Sequence, residues 1–263
     1  MPKMPMEEKM FGIKWIEKGM EILNKIKETQ IENMKKAAEV MTKSILAERW
    51  VHCFGVGHAI IPVQEIYPRI GGFVGFHPIT ELSLSYFSHV VGDQGVRQFL
   101  FLERLEGFGK VILKNYRLDP KDTMWIFSFS GINPVIIDVA LESKRQGLTV
   151  VATTSLEHSK ITPSRHSSGK RLFEIADIVI DCCVPAGDAM IEIEGLDEKV
   201  GPGSSLAFIS IVNCVVTQVA YNMVKAGTKP LINPTVNVKD NIPADQIIEN
   251  NLKEYERRLY NIK

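Results

Sequence analysis

Apolar positions in the first fifth of the chain recur every three or four residues. Ile13, Ile16, Met20 and Leu23, then Met34, Ala38, Met41 and Ile45, step along with charges between them, and no proline interrupts residues 6–48. That spacing predicts one long amphipathic helix, or two joined near Thr29. At residue 50 the pattern changes. Residues 50–54 (WVHCF) read as a short buried strand running into Gly55 and Gly57, and AIIPVQEIYPRI as a helix interrupted or ended near Pro68. The same unit of strand, glycine turn and helix returns at residues 123–127, the SFSG turn and residues 134–146, where Gly147 is placed to end the helix.

Residues 73–76, 148–153 and 175–182 are further strand candidates, the first of them weak. Residues 77–106 read as irregular with some helical content, and residues 108–115 as a short helix before the LDPKD turn. Strands separated by helices predict a parallel sheet with helical crossovers. Residues 155–171 are polar and long for a connection, which favours a functional role. Residues 185–203 are mixed, Ser204 or Ser205 can cap an apolar helix ending near Gly227, and a last charged helix follows Pro243. The expected organisation is an N-terminal helical segment (1–48), an α/β domain (49–240) and a helical tail (241–263), forming a single domain overall.

Composition excludes more than it selects. Lys plus Arg and Asp plus Glu both number 31, so no global positive field gathers nucleic acid or anionic membranes, and neither is an expected partner. Cys53, Cys182, Cys183 and Cys214 form no CxxC pair, which reads as reduced thiols of a cytoplasmic protein. The charged N-terminus is not followed by the apolar run of a secretory signal. Residues 206–224 are apolar but carry Ser210, Asn213, Thr217, Gln218 and Asn222, so a core helix is favoured over a membrane span.

A parallel α/β sheet binds ligands at the carboxyl ends of its strands, where both glycine turns fall. At the second, Ser128 and Ser130 offer hydroxyls and Gly131 lets backbone N–H groups approach an anion next to a helix N-terminus. The competing reading makes Ser130 or Asn133 a plain helix cap. GVGHAI lacks the third glycine of a dinucleotide fingerprint, and neither turn carries GK[ST], so nicotinamide and nucleoside triphosphate readings lose ground and no cofactor is expected.

The strand and turn around SFSGIN, the earlier FGVGH, TTS at 153–155 and ADIVID at 176–181 together resemble the sugar isomerase (SIS) domain, which binds phosphosugars. With SRHSSGKRLFEIADIVIDCCVPAGDA and GPGSS, the likeness extends over about residues 6–240 and is greatest to stand-alone SIS proteins near phosphoheptose isomerases and N-acetylmuramic acid 6-phosphate etherases. The resemblance implies a three-layer αβα sandwich with a flavodoxin-like parallel sheet, and a homodimer or homotetramer. By the same resemblance Ser128, Ser130, Asn133 and the amides around Gly131 hold the phosphate, Gly55 and Gly57 make room for the ligand, and Ser155 borders the sugar. Two positions depart from the pattern: Ala59 stands where SIS proteins often have serine, and Phe129 where a polar residue commonly sits.

Sugar isomerisation and ether elimination both need proton transfer, which Glu and His usually supply. His58, Glu65, His77, Glu81, His158 and His166 are the candidates. His58 and Glu81 stand out because each sits at a predicted strand end on the ligand face, and they are taken as the catalytic pair. His166 and Ser168, in the long polar loop, join the ligand-binding candidates. The separation of His158 from His166 fits no usual zinc spacing, and no metal is expected. Lys170 and Arg171 steer an anion or simply begin a solvated helix face. The expectation is an isomerase or etherase-type lyase acting on a phosphorylated sugar. The alternative is a non-catalytic phosphosugar sensor working through a protein partner. A DNA-binding regulator is disfavoured, because no basic recognition helix follows a short turn.

Overall fold

The computed structural model describes residues 10–66, 68–85, 95–235 and 244–260. The N-terminal segment is two helices, α1 (Ile13–Thr29) and α2 (Ile31–Leu46), broken at Gln30. Gln30 is buried there, and its side-chain oxygen accepts from Asp181 N–H at 3.0 Å, so the break docks both helices against the sheet.

Five strands follow, β1 (Val51–Gly55), β2 (Phe76–Ile79), β3 (Thr123–Phe127), β4 (Thr149–Thr154) and β5 (Ile178–Asp181). They form one all-parallel sheet in the order β2-β1-β3-β4-β5. This is the flavodoxin-like order, whose direction reverses between β1 and β3. The sheet is covered on both sides, as an all-parallel sheet must be. Val51, Cys53, Trp125, Phe127 and Val151 face one side, with α1, α2, the short α3 (Ile61–Glu65) and α10 (Ser204–Lys225). Phe54, Met124, Ile126, Val150 and Ala152 face the other, with α6 (Phe108–Leu113), α7 (Pro134–Arg145) and α9 (Leu172–Ile175). The result is the expected three-layer αβα sandwich.

The remaining elements are α4 (Leu82–Ser85), α5 (Val96–Leu102), α8 (Leu156–Ile161), a two-stranded ribbon of β6 (Ala189–Ile191) and β7 (Val200–Pro202), and α11 (Ala244–Tyr260). Several expectations are corrected. The weak strand at 73–76 joins the sheet only from Phe76, since Gly75 takes φ +142° and Phe73 instead forms an isolated antiparallel bridge with Ile232. The loop at 155–171 contains α8, capped by Ser155, whose Oγ accepts from His158 N–H at 3.2 Å. Ile175 belongs to α9, since an apolar run this short fits helix and strand alike. At α10 neither serine is the cap: Gly203 holds that position, and the Asp188 carboxylate accepts from Gly203 N–H, Ser204 N–H and Ser204 Oγ at 2.8–3.0 Å. The expected helix start at residue 6, the 240/241 boundary and Pro243 lie outside the described residues.

Among the described residues α10 is long and apolar enough to cross a membrane. Here Ala207, Phe208, Ile211, Val212, Val215 and Val219 are buried against α2 and α3, so it serves as a core helix.

Candidate active site

The reversal point of the sheet sets the carboxyl ends of β1 and β3 side by side, with Gly55 opposite Phe127 in register. Beyond β1 the chain turns at once into a 3-10 helix, Gly57–Ile60. A Cβ on Gly55 would lie 2.1 Å from the carbonyl oxygen of Ala59, so only glycine permits this turn. The space above Gly57 is filled by the Phe99 ring of α5. The room expected at these two glycines is therefore occupied by the chain itself.

Beyond β3 the loop 128–133 is pinned from behind. Ser128 N–H donates to Thr153 O at 3.1 Å, and Ser128 Oγ accepts from Gly131 N–H at 3.1 Å, closing a tight turn with Gly131 at φ +62°. The Phe129 carbonyl accepts from Ser155 N–H and Thr154 Oγ1, both at 3.0 Å. The Gly131 carbonyl accepts from Leu172 N–H and that of Ile132 from Arg165 N–H. The N–H groups of Ser130, Ile132 and Asn133, and the Ser130 hydroxyl, have no partner among the described residues. A loop whose carbonyls are tied down while neighbouring amides stay unpaired at a helix N-terminus has the form of an anion nest.

The cap reading of this loop is not what the structure shows. Asn133 occupies the N-cap position of α7 without any side-chain cap bond. Its amide instead donates to Glu103 Oε2 at 2.6 Å, and its oxygen accepts from Arg165 Nη1 at 2.9 Å. Glu103 is buried, and its backbone carbonyl accepts from Val135 N–H in the first turn of α7. Burial raises its carboxyl pKa, against the opposing pull of Arg104, Arg165 and the Asn133 hydrogen bond. A buried carboxyl held at the rim of an anion nest is equipped for proton transfer. Sequence reasoning missed Glu103, because only the fold brings it to Asn133, thirty residues away.

The other candidates are placed as follows. His58 lies exposed in the first turn, at the carboxyl end of β1. Glu81 follows β2 at the same edge, half-buried, and its Oε1 accepts from Ser83 Oγ at 2.9 Å and Ser83 N–H at 3.4 Å. Ser155 is fully buried behind the nest, its hydroxyl donating to Val184 O at 2.7 Å. His166 Nδ1 accepts from Ser168 N–H at 3.0 Å, which puts the ring proton on Nε2, 3.5 Å from both Asp138 and Glu106. Ser168 Oγ contacts the same Nδ1 at 2.9 Å. His166 and Ser168 therefore brace the polar loop against α7. His158 Nδ1 accepts from Gly187 N–H, and Glu65, the last residue of α3, pairs with Arg69 beyond it. Arg171 pairs with Glu174 at the start of α9.

The two departures also find their places. Phe129 packs against the core and its ring centroid lies 4.9 Å from that of His158. The aromatic side chain thus strengthens the back of the nest. Ala59 likewise packs against the core.

Comparison with known proteins agrees with this architecture. The chain is 37% identical over 221 residues to the UPF0309 protein of Oceanobacillus iheyensis, covering 84% of this chain and 88% of the relative. To the UPF0309 protein of Caldanaerobacter subterraneus subsp. tengcongensis it is 36% identical over 251 residues, covering 93% and 97%. Among solved structures, the phosphoheptose isomerase of Neisseria gonorrhoeae superposes with a TM-score of 0.51 at 13% identity, over 78% of this chain and 94% of that one. The sugar isomerase domain of an RpiR transcription factor from Sphaerobacter thermophilus gives 0.50 at 16% identity, over 91% and 97%. These two likenesses bear on the fold. The sequence profile of the SIS domain matches residues 14–155, more than half of the chain, and with it the protein belongs to the SIS domain family.

Proposed function

We propose that this protein binds a phosphorylated sugar with its phosphate in the 128–133 nest and acts on it as an isomerase or an etherase-type lyase. The observation that carries this reading is the set of unpaired donors at Ser130, Ile132 and Asn133, at the N-terminus of α7. Ser128 shapes the nest, Ser130 and the amides hold the phosphate, Gly131 supplies the left-handed backbone, and Asn133 lies at the rim. Ser155, His166 and Ser168 keep the loop in place. The sugar extends toward the carboxyl edge of β1 and β2, where His58 and Glu81 stand, with Glu103 beside Asn133. Isomerisation moves a proton between adjacent carbons, and elimination removes one while protonating the leaving oxygen; both need a carboxylate or imidazole within reach. The name of the gonococcal structural neighbour supports the isomerase side.

Replacing Ser130 by alanine removes a hydroxyl donated to a charged acceptor. Affinity for a sugar phosphate is expected to fall about ten- to a hundredfold, read by thermal-shift titration. Unchanged affinity takes the phosphate out of this loop.

The sensor reading remains as the second one, because the fold of the RpiR domain serves a transcription factor. A sugar phosphate that stabilises the wild type without solvent-deuterium exchange into the sugar decides for the sensor. Four free thiols, three of them buried, accord with a cytoplasmic location.

We also infer a homodimer or homotetramer. Ile13, Ile16 and Met20 on α1 are 38–60% exposed, and Tyr221 and Val224 on α10 are exposed too. Such apolar stripes are characteristic of buried contacts between subunits. Light scattering is expected to give an even multiple of the chain mass, and a monomer at micromolar concentration removes the inference.

A further inference from the structure

A second constellation lies at the opposite, amino-terminal edge of the sheet. His52 on β1 and His77 on β2 are register partners, and their Nδ1 atoms are 3.0 Å apart. His52 Nε2 lies 3.2 Å from Oδ2 of Asp122, the residue just before β3. The Asp122 carboxylate also accepts from Arg49 Nε and Nη2 and from the N–H groups of Trp50 and Asp119. Burial would raise its pKa, but the hydrogen bonds from His52 and Arg49 outweigh burial and hold it low, so Asp122 only accepts. His52 therefore carries its proton on Nε2. The Nδ1–Nδ1 contact holds one proton between the two rings; placed on His77, whose own ring is neutral, it makes His77 the donor from Nδ1 and leaves its Nε2 as a bare acceptor facing the cavity.

That nitrogen has no partner among the described residues, although His77 is only 7% exposed. Burial, then the neighbouring His52, lowers the His77 pKa to about 3 against the pull of Asp122, so the ring stays neutral. His77 borders a cavity of about 470 Å³, together with Trp50, Tyr116, Arg117 and Arg258 of α11. The rings of Trp50 and Tyr116 lie 5.6 and 5.5 Å from that of His77. Arg49 and Arg258 are committed to Asp122 and Glu254. Arg117 is exposed and has no ion pair among the described residues. The complement of a buried neutral acceptor, aromatic walls and one uncommitted cation is a small flat ring with an O–H at one end and a carboxylate at the other.

We propose that this cavity is a second ligand site, for a hydroxylated aromatic carboxylate that donates to His77 Nε2 and pairs with Arg117. It shares no residue with the phosphate nest, from which it is separated by the length of the strands. Because α11 forms one wall, with the Tyr255 ring centroid 4.8 Å from that of Trp50 at an inclination of 56°, occupancy fastens the C-terminal helix to the body.

The probe is 4-hydroxybenzoate, titrated into the full chain at neutral pH by calorimetry. Saturable 1:1 binding is expected, weakened roughly tenfold or more for 4-methoxybenzoate, which has no O–H to donate. Arg117→Ala, a change at an exposed position, is expected to weaken the hydroxy acid by a similar factor while leaving the melting temperature unchanged. Nitrogen NMR of the histidines should show His77 Nε2 unprotonated in the free protein and shifted by the probe. The proposal is overturned by absent binding, by equal binding of the methoxy compound, by an Arg117→Ala variant of unaltered affinity, or by a proton found on Nε2.

Discussion

Asp122→Ala is expected to destabilise the protein by about 3–5 kcal/mol, the cost of breaking a buried charge network on one side. Asp122 has a side chain that is fully buried, and it satisfies Arg49, His52, Trp50 N–H and Asp119 N–H together. Alanine leaves the Arg49 guanidinium and the His52 ring without their acceptor at the entry to β1 and β3, the two central strands. Urea denaturation of wild type and variant measures the difference, and a loss below about 1 kcal/mol would show that water replaces the carboxylate. The same cluster makes stability sensitive to acid. His77 has a folded pKa lowered to about 3, whereas an unfolded histidine titrates near 6.5. Its contribution is present above pH ~6.5 and is lost as pH falls, because the unfolded chain takes the proton first. By pH ~5 the loss from His77 amounts to about 2 kcal/mol.

How much of this was legible depends on where each signal resides. The central strand was read with its observed bounds, Thr123–Phe127, because a five-residue run buried throughout is flanked by turn residues. The proposed phosphate loop stood out for the same reason: Ser128, Ser130 and Gly131 follow that strand directly. What decides between cap and nest is not in the local sequence. Asn133 fails to cap α7 because Glu103 and Arg165 claim its side chain, and both reach it through tertiary packing. Phe129 is a similar case. As a residue type it argues against a polar ligand contact, yet alternation along the loop turns it to the core side, onto His158. His52 and His77 each look like ordinary strand residues, and only register pairing brings their rings into hydrogen-bond contact. Helix ends suffered likewise, since α10 takes its cap from Asp188, sixteen residues upstream of Ser204.

Glu103→Gln is expected to lower turnover about 10²–10⁴-fold, the usual range for removing a general acid or base, with little change in substrate affinity. Glutamine keeps an oxygen for Asn133 and the same volume, so the nest survives while proton transfer is lost. The carboxyl suits the task because it is buried at the rim of the proposed anion site. Burial raises its pKa, and a bound phosphate dianion nearby raises it further by repulsion. Binding the substrate therefore favours the protonated form, ready to donate to a leaving oxygen or to return a proton to carbon. Folding linkage gives an independent check that needs no substrate. A carboxyl whose folded pKa is raised destabilises the native state above its unfolded value of about 4.3, and does so fully above the folded value. The glutamine variant should accordingly be more stable than wild type at neutral pH, and the difference should vanish as pH falls below about 4. Solvent-deuterium exchange into a sugar phosphate then separates Glu103 from Glu81, whose carboxylate is engaged by Ser83 at the start of α4. If Glu81→Gln abolishes exchange and Glu103→Gln leaves it intact, the proton passes through the residue after β2. If the glutamine at 103 alone is silent in exchange but binds the sugar phosphate normally, the buried carboxyl at the nest is the group that moves it.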